Sequence, residues 1–235
     1  MRKPQAIYDG IYLIGGSGLT GSGDCLIYLI QTEKGLVLID CGLGEDLDRL
    51  IKNIKALECD PSDLKTLILT HCHIDHIGAA AVLKKKYQLE IYAHKFDVPA
   101  IEGKKIEMTG ATMYGMDYEP VKIDHILTAE KGEDILDFGN ISLTSIHTPG
   151  HTPGSICLYT DIKKTRVLFA QDVHGPLFDA FGSNVSDFVE SLKRLVALKA
   201  DILCEGHFGI YQPAAEVKKY IEDYIRQYSR RLSAH

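Results

Sequence analysis

The sequence predicts an α+β fold in a single domain covering residues 1–235, and three observations predict it. Short apolar runs of strand length recur from Ile7 to Cys204. Longer stretches between them carry apolar residues at helical spacing, as in Leu47, Leu50, Ile51 and Ile54. No linker-like or low-complexity stretch divides the chain, whose 235 residues suffice for one large core. An apolar content of 45% with 25% charged residues suits a soluble globular protein. The formal net charge of -6 argues against a broad basic face for nucleic acid. Lys84-Lys85-Lys86, Lys104-Lys105 and Arg230-Arg231 are short and read as solvated faces.

The elements follow in order. Ile7 to Ile14 reads as a strand or hairpin, closed by a glycine-rich loop from Gly15 to Gly23. That loop is not a P-loop, since no Gly-Lys-Ser/Thr follows and a strand comes next. Strands at Cys25–Ile30 and Leu36–Ile39 are separated by a turn-length segment, which predicts an antiparallel pair. A helix is expected from Glu45 to Leu57, a strand over Leu67-Ile68-Leu69, a helix from Ile77 through Tyr87 and a strand over Leu89–Ala93. Periodicity then fails from Phe96 to about Val121, where Met108, Met113, Met116, Tyr114 and Tyr118 concentrate. These adaptable side chains suit either a cluster packed over the core or a cap facing a substrate. Later strands are expected at Ile141–Ile146, Ser155–Tyr159, Val167–Ala170 and Asp201–Cys204. Helices are expected at Val185–Leu198, capped by Ser183 or Ser186, and at Ala214–Tyr228.

Chemistry concentrates in Thr70-His71-Cys72-His73-Ile74-Asp75-His76-Ile77-Gly78. Three imidazoles and a carboxylate crowd one strand end, a donor set suited to first-row metals. In an extended segment His71 and His73 share a face and can meet one cation, while Cys72 alternates to the other side and reads as packing. A turn into helix swings Asp75 and His76 toward a second position. Metal-capable residues recur after other apolar runs, namely His151, Asp172 and His207. Seven candidate ligands thus fall at four strand ends, where loops on a rigid sheet build sites. None of the six cysteines lies in a Cys-x-x-Cys pair, and nothing resembles a disulfide scaffold. With no secretory signal and no apolar run long enough to span a bilayer, the expected location is the cytoplasm.

His-x-His-x-Asp-His, a later Thr-Pro-Gly-His-Thr-Pro-Gly, an aspartate after a strand and a Gly-His near the end resemble the metallo-β-lactamase-fold hydrolases. The resemblance runs from the first strands to Gly206-His207. It implies a four-layer αββα sandwich with a dinuclear site. One metal would take His71, His73 and His151, the other Asp75, His76 and His207, with Asp172 bridging and Asp40 supporting the ligands. The ligand order is similar to the glyoxalase II, lactonase and thioesterase-like branch. Flavodiiron relatives need a flavin domain, nucleases of the superfamily a cap domain or basic arm, and true β-lactamases are secreted.

The resemblance implies a hydrolase acting on a carbonyl ester, thioester or lactone through a hydroxide bridging two divalent cations, zinc first with iron or manganese as options. Asp75 would orient that hydroxide and pass its proton to the leaving group. His174, near Asp172, would face the pocket. Homoserine lactonases place a tyrosine shortly after the aspartate, which Val173-His174-Gly175-Pro176 lacks. Glyoxalase II adds a longer helical portion after the last histidine. Two alternatives are a mononuclear iron persulfide dioxygenase using His71, His151 and Asp172, and a metal-dependent phosphodiesterase. The expected partner is a small-molecule substrate, without nucleic acid or membrane, and a homodimer is one option.

Overall fold

The structure is a computed structural model that describes residues 3–232. The chain groups into two compact units. The first runs to Leu127 and adds Phe138–Ile141; the second comprises Thr128–Asp137 and the chain from Ser142 onward.

The first unit is built on a seven-stranded sheet in sequence order: β1 (Gln5–Tyr8), β2 (Ile11–Gly15), β3 (Ile27–Thr32), β4 (Gly35–Ile39), β5 (Leu64–Ile68), β6 (Glu90–His94) and β7 (His125–Leu127). Pairing is antiparallel from β1 to β4 and parallel from β4 to β7. The parallel run brings the carboxyl ends of β4, β5 and β6 to one edge, so Asp40, Thr70 and His94 emerge side by side. Between β4 and β5 lies α1 (Leu47–Lys55), capped by Asp46, whose side chain accepts from the Arg49 N–H. Its Leu50 and Ile54 join a core with Leu29, Leu38 and Leu67. Each such burial contributes about 1.5–3 kcal/mol.

The expected helix after the metal motif divides in two, α2 (Ile74–Ile77) and α3 (Ala80–Tyr87). The loop after β4 causes the break. The Cys41 N–H donates to the His76 carbonyl at 2.8 Å, and the Ala79 N–H donates to the Gly42 carbonyl at 3.2 Å. A Cβ at Gly78 would lie 2.4 Å from the Leu43 carbonyl oxygen, so only glycine permits this approach. The irregular stretch contains α4 (Val98–Ile101) and 3-10 turns at Ile106–Thr109 and Ala111–Tyr114.

The second unit carries six strands: β8 (Glu133–Asp137), β9 (Ser142–His147), β10 (Ile156–Ile162), β11 (Thr165–Ala170), β12 (Ile202–Glu205) and β13 (Ile210–Tyr211). Their order is β13-β12-β11-β10-β9-β8. Antiparallel β9–β10 and β10–β11 pairs and a parallel β11–β12 pair place the carboxyl ends of β9, β11 and β12 at one edge. Helices α5 (Val185–Ala197) and α6 (Ala214–Leu232) complete the unit and bury Phe188, Leu192, Leu195, Val217 and Ile221 with Leu168 and Leu203. The α5 cap differs from expectation. Asn184 accepts from the Asp187 N–H, whereas Ser183 turns away to the chain at His151. Strands β7, β8 and β13 lie outside the expected set. They are short edge segments, and β8 mixes acids with an exposed Ile135, so no buried face marks them. Among the described residues no helix is long and apolar enough to cross a membrane.

Candidate metal centre

In the first unit the motif is fixed from below by Asp40, which is fully buried. Its backbone φ of 58° lies in the left-handed region, a cost of order 1 kcal/mol that aspartate bears better than most residues. That conformation aims the carboxylate at the next strand end. One oxygen accepts from the Thr70 N–H at 2.8 Å; the other accepts from the Thr70 hydroxyl and from His76 Nδ1, each at 2.7 Å. The His76 ring is thereby held with Nε2 outward, 3.6 Å from Asp75 Oδ2. Thr70 Oγ1 also lies 3.1 Å from His71 Nδ1, which directs His71 Nε2 the other way. That nitrogen is 3.1 Å from His73 Nδ1. Two imidazoles sharing a tetrahedral cation at 2.0–2.1 Å would place their nitrogens about 3.3 Å apart. The pair therefore fits a common cation.

In the second unit Asp172, His151 and His207 come from the ends of β11, β9 and β12. Asp172 Oδ2 lies 3.7 Å from His151 Nε2 and 3.3 Å from His207 Nε2. One carboxylate oxygen thus lies near ring nitrogens brought from two different strand ends, so it can be shared between them. The Ser183 hydroxyl donates to the His151 carbonyl at 2.6 Å. Gly150, at φ 133°, passes so near α5 that a Cβ would fall 2.3 Å from the Phe188 backbone nitrogen. His147 is committed elsewhere, its Nε2 lying 2.8 Å from the Pro153 carbonyl.

All seven sequence candidates thus lie in these two clusters: His71, His73, Asp75 and His76 in one, His151, Asp172 and His207 in the other. Residues that support them were less visible. Asp97 accepts from the Cys72 N–H at 2.9 Å, and Glu205 accepts from the His207 N–H at 2.7 Å. A lone acid closing the apolar run Ile202-Leu203-Cys204 was the available signal for Glu205. Cys72 packs in the core as expected, and burial pushes its thiol well above the ordinary range. The methionine and tyrosine segment divides. Met108 and Met116 pack on the core and Tyr118 is buried, donating to the Ile101 carbonyl at 2.9 Å. Met113 and Tyr114 stay exposed.

The sequence profile of the Metallo-beta-lactamase superfamily matches residues 20–207. The chain is similar to the hydroxyacylglutathione hydrolase GloC of Haemophilus influenzae, 32% identical over 80% of this chain and 86% of that one. It is also similar to the acyl-coenzyme A thioesterase MBLAC2 of Homo sapiens, 26% identical over 88% and 81% respectively. Among solved structures, the metallo-beta-lactamase GOB-18 from Elizabethkingia meningoseptica superposes with a TM-score of 0.80 at 28% identity, covering 100% of this chain and 93% of the other.

Proposed function

We propose that this metal-dependent hydrolase, whose chain belongs to the metallo-beta-lactamase superfamily, works with two divalent cations on a carbonyl ester, thioester or lactone. Its α+β fold is the one expected from the sequence. The observation that carries the dinuclear reading is Asp172 Oδ2, within 3.3 Å and 3.7 Å of two different imidazole nitrogens. One cation is assigned His71, His73 and His151, and the other Asp75, His76 and His207, with Asp172 shared. When bound, such cations polarise a carbonyl and bring the pKa of water from 15.7 to roughly 7. Zinc is the first choice, with iron or manganese as alternatives, because a His/Asp donor set suits all three.

The chain's own groups supply the rest. Asp40 keeps His76 in the tautomer that carries its proton on Nδ1 and its lone pair, the one a metal would take, on Nε2. Asp75, in the first turn of α2, is assigned the role of proton carrier to the leaving group. Burial pushes the Cys25 and Cys157 thiols up to about 12 and Cys72 well above its ordinary value, which disfavours these three as nucleophiles.

Among the candidate bonds the thioester is favoured. One relative is named for hydroxyacylglutathione, the other as an acyl-coenzyme A thioesterase. The chain spans 86% of the first, so a short segment after His207 does not argue against such a substrate. Exposed Met113 and Tyr114 supply an apolar surface for the acyl portion, which burial would favour at ~25 cal/mol per Å². A small-molecule substrate, a cytoplasmic location, independence from nucleic acid and membrane, and a homodimer as one option belong to the same proposal. The test is a hydrolysis screen of thioesters, lactones and phosphodiesters on metal-loaded protein, repeated with Tyr114→Ala. Thioester turnover with a changed ranking of acyl groups in Tyr114→Ala is expected. Persulfide oxidation with one iron and no hydrolysis would overturn the reading.

A further inference from the structure

Glu205 ends β12 with a side chain that is fully buried. A buried carboxylate is costly unless its lone pairs are filled. Here both oxygens are used. Oε2 accepts from the backbone N–H groups of His207 and Phe208, each at 2.7 Å, and Oε1 lies 2.7 Å from His174 Nδ1. A carboxylate can only accept from that nitrogen, so Nδ1–H donates to it. One side chain therefore ties the turn that carries His207 to the loop that carries Asp172.

The His174 end is anchored as firmly. The Tyr228 hydroxyl of α6 donates to the His174 carbonyl at 3.0 Å. Gly175, at φ 85°, is so close to Tyr228 that a Cβ would fall 2.0 Å from the hydroxyl. The His174 ring meets His207 edge-on at 5.4 Å and Phe208 at 4.6 Å. The two loops also touch directly, since a Cβ at Gly206 would lie 1.9 Å from Asp172 Oδ1. Asp172, His174 and Glu205 form a group whose composition would also suit a cation. The hydrogen-bonded contact between His174 and Glu205 leaves no room for one between them, so the group is read as support.

We propose that Glu205 and His174 are a positioning pair that fixes His207 and Asp172 as ligands of the second cation. The proposal rests on the dinuclear reading and assigns residues that the sequence motif does not contain. A glutamine at 205 does not reproduce the arrangement: with its amide oxygen on the His207 and Phe208 N–H groups, its NH2 can only donate to His174, which forces the proton of that ring from Nδ1 to Nε2 and removes the negative charge that holds both partners.

The experiment titrates Co2+ into metal-free protein and follows the ligand-field absorption, for the parent, Glu205→Gln and His174→Phe. Circular dichroism and thermal unfolding run beside it. The parent is expected to take two equivalents. In both variants the first equivalent should bind as in the parent, while affinity for the second falls about ten- to a hundredfold with an altered spectrum. The double variant should lose no more than Glu205→Gln alone, as for groups acting through one contact. In turnover, kcat should fall more than KM rises. Should Glu205→Gln fail to fold, His174→Phe carries the test alone, since its ring is not fully buried and phenylalanine keeps the packing. Two equivalents bound with parental affinity and spectrum in the variants would overturn the positioning pair while leaving the dinuclear reading intact. A parent that takes one equivalent would overturn both.

Discussion

The two clusters of imidazole and carboxylate are assembled in opposite ways. In the first unit, His71, His73, Asp75 and His76 sit in one contiguous turn, and a single buried acid, Asp40, organises it through Thr70 and His76. In the second unit, His151, Asp172 and His207 arrive from three strand ends. Each needs its own support from elsewhere: Ser183 for His151, Gly206 for the approach to Asp172, Glu205 for His207. A contiguous motif fixes its ligands through local geometry, whereas a dispersed one depends on side chains far away in sequence. Damage to one support in the second unit should therefore stay local, while damage to Asp40 should spread through the whole first cluster.

The largest effect is expected at Asp172, the residue proposed to be shared between two cations. Asp172→Ala should lower turnover by ~1000-fold or more, because Lewis-acid stabilisation worth several kcal/mol is lost with the bridge. Metal analysis of the variant should show no more than one tightly held cation per chain. Wild-type rate with two tight cations would break the bridging assignment. Next comes Asp40→Ala, which leaves the His76 ring without its acceptor and should cost about 10- to 100-fold in metal affinity or activity. Loss confined to one ligand position, rather than to both His71 and His76, would blunt the contrast between the clusters.

That contrast also explains what the sequence revealed. The fold class and all seven ligand candidates were legible because strand ends and metal-capable residues coincide along the chain. The turn holding His76 against Cys41 was not, since it depends on a carbonyl meeting an N–H across 35 positions. Ser183 looked like a helix cap by composition, yet Asn184 caps α5 and frees Ser183 for His151. Edge strands β7, β8 and β13 lack the alternation that marks a buried face. The methionine-rich stretch could not be divided into packed Met108 and Met116 and exposed Met113 and Tyr114 without coordinates.

A smaller effect is expected in alkali, and it touches both units. Burial pushes Cys25 in the first and Cys157 in the second up to about 12 from the ordinary thiol value of 9.0. Below pH 9 both thiols keep their protons whether the chain is folded or not, so their contribution is fully present. Between pH 9 and about 12 the unfolded chain ionises first, and the stability is lost across that window. At pH 10.5 the loss should be roughly 2 kcal/mol per thiol. Urea unfolding at pH 8 and pH 10.5 measures it, and Cys25→Ala or Cys157→Ala should flatten the decline. The smallest effect is expected for Cys72→Ser. That thiol lies between two candidate ligands, but its side chain faces the core and the Met108 carbonyl. Metal content should stay at the parental level with turnover within a few-fold, and loss of a cation in this variant would place Cys72 among the ligands.

The most direct measurement is metal content per chain by elemental mass spectrometry on purified, fully loaded protein, with Asp172→Ala alongside. The dinuclear reading predicts two divalent cations in the parent and at most one tightly held in the variant. A single iron per parent chain, unchanged by excess zinc or manganese, would contradict it.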